Sequence, residues 1–168
     1  MLYAMTTTDI TETQLKLQDA ATQMKLSLAS SGDIRIVRSC VNSFISHARS
    51  VTLVMQVESS GHPELKKWYE RKQEDLNQNP LLKFFNDRRV YSIHKGVVSP
   101  SAHTSEIYDL KINGEPVAGP GTITVLSFEG VGEFIPGSSG NVFRLCEEYF
   151  ILLKYLVHEW LLERNRYV

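Results

Sequence analysis

The feature that most constrains this chain is its last long segment. From Asn141 onward, Val142, Leu145, Cys146, Tyr149, Phe150, Leu152, Leu153, Leu156, Val157, Trp160 and Leu161 recur at helical steps. Apolar residues so placed cover far more than the narrow stripe of a surface helix, so other elements must sheathe this one. The rest of the chain has to supply them.

Upstream, Ile10 to about Leu28 keeps mostly helical spacing in Leu15, Leu17, Ala20, Ala21, Met24, Leu26 and Leu28, and Ser30-Ser31-Gly32 stops it. Asp33 then reads as the N-cap of a second helix, whose apolar set is Ile34, Val37, Val41, Phe44, Ile45, Ala48, Val51, Thr52 and Met55. Two long antiparallel helices joined by a short turn follow. Pro63, after Ser59-Ser60-Gly61-His62, suits the first turn of a third helix. Asn79-Pro80 repeats the device as cap and first residue of a fourth, running to about His94 with Gly96 as a left-handed C-terminal cap.

Between Val97 and Gly140 the pattern changes. Seven of the ten glycines and four of the six prolines lie there, and apolar residues alternate with polar ones. Tyr108–Ile112 reads as a strand, Asn113-Gly114 as a hairpin turn, Thr122–Phe128 as a second strand and Val131–Ile135 as a short third. The expected fold is mainly α: an antiparallel bundle of four to five helices, with a small antiparallel β insert (97–140) before the C-terminal helix. At 168 residues and 42% hydrophobic content, the chain forms one domain, 1–168, with a core that needs no covalent staples.

Eighteen basic and 19 acidic side chains nearly cancel, which excludes a global field for indiscriminate binding to nucleic acid or anionic membrane. Any RNA contact must be local. Between Glu64 and Lys95 there are eight basic residues against five acidic, enough for a modest phosphate-facing patch, or for helix ion pairs among Lys66, Glu70, Arg71 and Glu74. Cys40 and Cys146 sit in apolar helical patterns without CxxC spacing and read as buried free thiols. Met1–Thr8 lacks a charged leader followed by an apolar run, and no stretch approaches the roughly 20 apolar residues that span a bilayer. The expectation is a cytoplasmic protein with no membrane contact.

The segment Phe84-Phe85-Asn86-Asp87-Arg88-Arg89-Val90-Tyr91-Ser92-Ile93-His94 concentrates polar chemistry beside an aromatic pair. Arg89, four intervening residues and His94 form an Rx4H pattern. Further matches are Phe44–Thr52 in the second helix, Trp68-Tyr69-Glu70, and Leu145-Cys146-Glu147-Glu148-Tyr149 in the last helix. Together these resemble a bacterial group of proteins in the HEPN superfamily, over roughly residues 10–96 and 141–162.

That resemblance implies a helical RNA-associated domain, either a metal-independent endoribonuclease or an RNA-binding relative. It also implies a homodimer in which Arg89 and His94 of both protomers line a shared cleft, with neither cofactor nor metal. The chemistry is coherent. RNA carries its own nucleophile in the 2′-OH, His94 can move the proton near neutral pH, and Arg89 can hold phosphoryl oxygens with its planar fork. A five-residue offset sets the two about 140° apart on an ideal helix, so dimerisation belongs to the hypothesis.

Asn86, Asp87, Arg88 and Ser92 are supporting candidates. Val90 stands where many active members carry asparagine or another polar residue, which keeps open a second reading: a non-catalytic interaction or dimerisation module in which Arg89 pairs with a carboxylate and His94 caps helix carbonyls. Strand edges of the insert offer a place for a protein partner. His47 and Arg49 can approach the motif from the second helix, while His62, His103 and His158 read as loop or surface residues.

Overall fold

A computed structural model describes residues 10–108, 111–116, 119 and 121–167; Met1–Thr8 lies outside the described residues. It contains five helices: α1 (Glu12–Ala29), α2 (Ile34–Ser60), α3 (Pro63–Gln78), α4 (Pro80–His94) and α5 (Val142–Arg164). The chain is mainly α, with a small antiparallel β insert ahead of the C-terminal helix, as the patterning predicts.

Local chemistry sets the helix boundaries. Thr11 and Gln14 form a reciprocal capping box at the start of α1. The Asp33 carboxylate accepts the Arg35 and Ile36 amides at the start of α2, which holds its pKa below the ordinary value; the Arg35 side chain bonded to it is the largest cause. Asn79 accepts from Leu81 and Leu82 to start α4, and Pro63 and Pro80 open α3 and α4 where no helical donor is required. Lys95 caps α4, and Gly96 follows at φ 148°, a positive value that favours glycine.

Helix α2 is the hub, packing against each of the other four helices. It is antiparallel to α1: the Glu58 carboxylate, near the end of α2, accepts the Glu12 and Thr13 amides and the Thr13 hydroxyl at the start of α1. The core centres on an aromatic cluster. Phe85 stacks on Tyr149 with ring centroids 4.5 Å apart, and Phe44, Phe84, Phe128 and Phe134 close around them edge-on. Each such pair contributes about 0.5–1.5 kcal/mol beyond its buried area. Trp160 is fully buried on α5, and its indole N–H donates to the Ser59 hydroxyl at 3.0 Å, which in turn donates to the Met55 carbonyl. Cys40 and Cys146 are both buried and free, and burial pushes the Cys146 thiol far up.

The insert differs from its expected strands. The long ribbon pairs β1 (Ser101–Ile107) with β4 (Gly121–Ser127), from Ser101↔Ser127 to Ile107↔Gly121. β1 is polar and solvent-exposed over Ala102–Glu106, so it carries no alternating apolar signal. The expected strand Tyr108–Ile112 contracts to β2 (Lys111–Ile112), which pairs with β3 (Glu115–Pro116); Asp109 and Leu110 lie outside the described residues. Asn113 and Gly114, at φ 54° and 87°, make that turn with both central residues at positive φ.

The expected third strand, Val131–Ile135, is instead a 3-10 turn over Val131–Glu133. Gly130 enters it left-handed, and the Ile135 amide returns to the Val131 carbonyl, so the segment coils while Val131 anchors it in the core. Leu126 and Phe128 bury the base of the ribbon against the bundle, whereas Thr122–Val125 remain exposed.

Candidate functional site

Helix α4 positions every residue of the predicted site. Phe84 and Phe85 are buried, which fixes the rotation of the helix and turns Asn86, Val90, Ile93 and His94 outward. Val90 and Ile93 form an exposed apolar stripe, 45% and 56% accessible. On a helix running unbroken through position 94, Arg89 and His94 flank that stripe, about 140° apart.

Arg89 is half-buried, and burial raises the pKa of the nearby Tyr149 hydroxyl against the opposing charges of Arg49 and Arg89. His94 is exposed at the C-terminal end of the helix. No hydrogen bond joins Arg89 to His94, and neither is held by a carboxylate or a backbone carbonyl among the described residues.

The supporting candidates divide. Arg88 is engaged locally: its Nη2 lies 2.6 Å from Asp87 Oδ2, and its guanidinium lies over the Phe84 and Tyr91 rings at 5.4 and 5.7 Å. Asp87 is the other half of that pair. Ser92 approaches Asn42 Oδ1 at 3.5 Å. Asn42 is the clamp for the segment leaving α4: its Oδ1 accepts the Val98 amide at 3.0 Å, and its amide donates to the Val98 carbonyl at 2.7 Å.

Asn86 belongs to a different constellation, a cavity of about 110 Å³ between four helices. Its polar walls come from Arg49 and Thr52 on α2, Tyr69, Gln73 and Asn77 on α3, Lys83 and Asn86 on α4, and Tyr149 on α5. Arg49 Nη1 donates to the Thr52 hydroxyl at 2.6 Å, and the Tyr69 hydroxyl donates to the Thr52 carbonyl at 2.7 Å. Burial pushes Tyr149 up to about 12, against the opposing fields of Arg49 and Arg89, so its hydroxyl stays a donor. Arg49, expected from the sequence to approach the motif, lines this cavity together with Asn86. Gln73, Asn77 and Lys83 carry no such signal, because only the packing of α3 and α4 brings them to Arg49.

The remaining histidines are apart from this region. His47 Nδ1 lies 3.5 Å from Asp19 on α1, His62 precedes α3, His103 is exposed on β1, and His158 is exposed on α5. Among the described residues, no three His, Cys, Asp or Glu side chains gather as a metal site requires. No helix among them is long and apolar enough to cross a membrane.

Within the basic stretch, Lys66, Lys67 and Lys72 are paired with Glu70, Glu64 and, across to α5, Glu159. Arg71, Lys83, Arg89 and Lys95 have no ion pair among the described residues.

These features define the class: a five-helix bundle with an antiparallel ribbon before its last helix and an Arg/His pair on the final turns of α4. Residues 10–100, just over half of the chain, match the family described as Bacteriophage lambda protein ea47, and the chain belongs to that family. The match covers α1 to α4 and ends as the ribbon begins. No curated protein and no solved structure matches the chain.

Proposed function

We propose that the chain is an RNA-associated domain acting as a cytoplasmic homodimer, a metal-independent endoribonuclease whose cleft is lined by Arg89 and His94 of both protomers. One observation carries this reading. Arg89 and His94 flank an exposed apolar stripe, and neither is neutralised or capped within the described chain. A second copy seated over Val90 and Ile93 would cover that stripe and bring each arginine toward the other protomer's histidine.

In such a cleft His94 takes the proton of a ribose 2′-OH as its oxygen attacks the adjacent phosphorus. The P–O5′ bond breaks, the leaving 5′ oxygen takes a proton from water, and His94 returns its proton to solvent, so no net proton is gained or lost. Arg89 stabilises charge on the non-bridging oxygens. The products are a 2′,3′-cyclic phosphate and a 5′-hydroxyl end.

The test is cleavage of single-stranded RNA in EDTA. Wild-type protein is expected to leave cyclic phosphate ends. His94→Ala and Arg89→Ala should each lower the rate by about 10²–10⁴-fold with the helical spectrum unchanged. Absence of cleavage by the wild type, or cleavage that survives both substitutions, sinks the enzymatic reading.

Exposure of Val90 where a polar residue would serve catalysis favours a second reading, a non-catalytic dimerisation module. On that reading His94→Ala loosens self-association and changes nothing in RNA.

A further inference from the structure

The cavity between α2, α3, α4 and α5 is not used by the reading above, since neither Arg89 nor His94 lines it. Its walls carry two cations, Arg49 and Lys83, and no carboxylate. Half-buried Arg49 spends one N–H on Thr52, and its other donors have no protein acceptor among the described residues. Lys83 has no ion pair among them either.

The second mark is Tyr149. The residue is 2% exposed, its hydroxyl has no hydrogen-bond partner among the described residues, and it lines this cavity. These donors are not sealed from solvent, since no polar side-chain atom among the described residues is both buried and unpartnered; an anion entering the cavity would accept from them in place of water. Gln73, Asn77 and Asn86 can each turn an amide NH2 inward beside them.

Donors from four helices that surround one small volume match oxygens distributed over a tetrahedron better than the two coplanar oxygens of a carboxylate. The arginine fork can engage two of those oxygens at once. At about 110 Å³ and open on one side, the cavity has room for a tetrahedral oxyanion. Any ester substituent must leave through the mouth.

We propose that this pocket binds a phosphate group, either free inorganic phosphate or the terminal phosphate of a nucleotide, with Arg49 and Lys83 as counter-charges and Tyr149 as a neutral donor. Neither Arg89 nor His94 lines the site.

The test is calorimetric titration of the full chain at constant ionic strength, with inorganic phosphate, adenosine 5′-monophosphate, acetate and chloride as separate titrants. Saturable one-site binding of phosphate or the monophosphate is expected, with none for acetate or chloride. Arg49→Gln, Lys83→Gln and Tyr149→Phe should each weaken it, the first two by about tenfold or more. His94→Ala should leave it unchanged, which separates this site from the cleavage reading.

Tighter binding of the nucleotide assigns the site to a terminal phosphate, and binding of phosphate alone assigns it to the free ion. Lys83 is exposed, so Lys83→Gln carries the test even if Arg49→Gln fails to fold. Absence of saturable binding by either phosphate, or binding unaltered in both Lys83→Gln and Tyr149→Phe, overturns the proposal.

Discussion

Tyr149 ties the core to the cavity through one ring. Its face stacks on Phe85, and its hydroxyl meets the fields of Arg49 and Arg89. Burial raises its pKa to about 12, whereas an unfolded chain releases the same proton near 10. The folded state therefore keeps a proton that the unfolded state loses. That contribution to stability is complete below about pH 10 and disappears as pH rises through about 12, a loss of about 2–3 kcal/mol. Urea unfolding at pH 9 and 11.5 should show a larger fall for wild type than for Tyr149→Phe, because lysine deprotonation and the raised pKa of Tyr69 act on both proteins alike. Equal falls would mean that the hydroxyl is solvated well enough to ionise in place.

At the scale of elements, the start of α1 shows how complete the polar accounting is. Thr11 and Gln14 satisfy each other's amides, and Glu58, reaching over from α2, accepts those of Glu12 and Thr13. Thr13 is fully buried, so Glu58→Ala leaves its amide and hydroxyl without that acceptor. A loss of about 1–2 kcal/mol is expected in urea denaturation, with Glu58→Gln, which keeps one acceptor oxygen, costing less than half as much. Equal costs would show that charge, not hydrogen bonding, holds the two helices.

Sequence shows one partner of such contacts more readily than the other. Asp33, Asn79, Pro63 and Pro80 act on their own helices, so their roles are local and legible. Glu58 acts 45 residues away, and nothing in its neighbours announces that. The ribbon was harder for a related reason: β1 is held by its ladder to β4 and not by burial, so Ser101–Glu106 reads as loop. Val131–Ile135 presents the opposite case, with Val131 buried and Phe134 and Ile135 half-buried yet coiled, because left-handed Gly130 turns the backbone away from extension. At the candidate site, the positions of Arg89 and His94 were legible from spacing, whereas the cavity beside Asn86 depends on how four helices pack and has no linear signature.

For the whole molecule, the proposed function turns on whether two copies share one cleft. If each cleft site takes Arg89 from one protomer and His94 from the other, a mixed dimer of Arg89→Ala and His94→Ala chains contains one site with both residues lost and one fully intact. Random exchange makes half the dimers mixed, so mixing two inactive proteins should restore about one quarter of wild-type RNA cleavage. A site built within a single chain, or one that needs all four side chains, predicts no recovery. Ile93→Asp supplies the control. Ile93 is 56% exposed, so the change should alter monomer stability by no more than about 0.5 kcal/mol while placing like charges across the shared stripe. Sedimentation should then show a monomer, and recovery on mixing should vanish. The same substitution at Ile151, also exposed but on α5, should leave both the dimer and the recovery intact. If Ile151→Asp dissociates the protein and Ile93→Asp does not, the copies meet on α5 and a shared cleft at the end of α4 is ruled out.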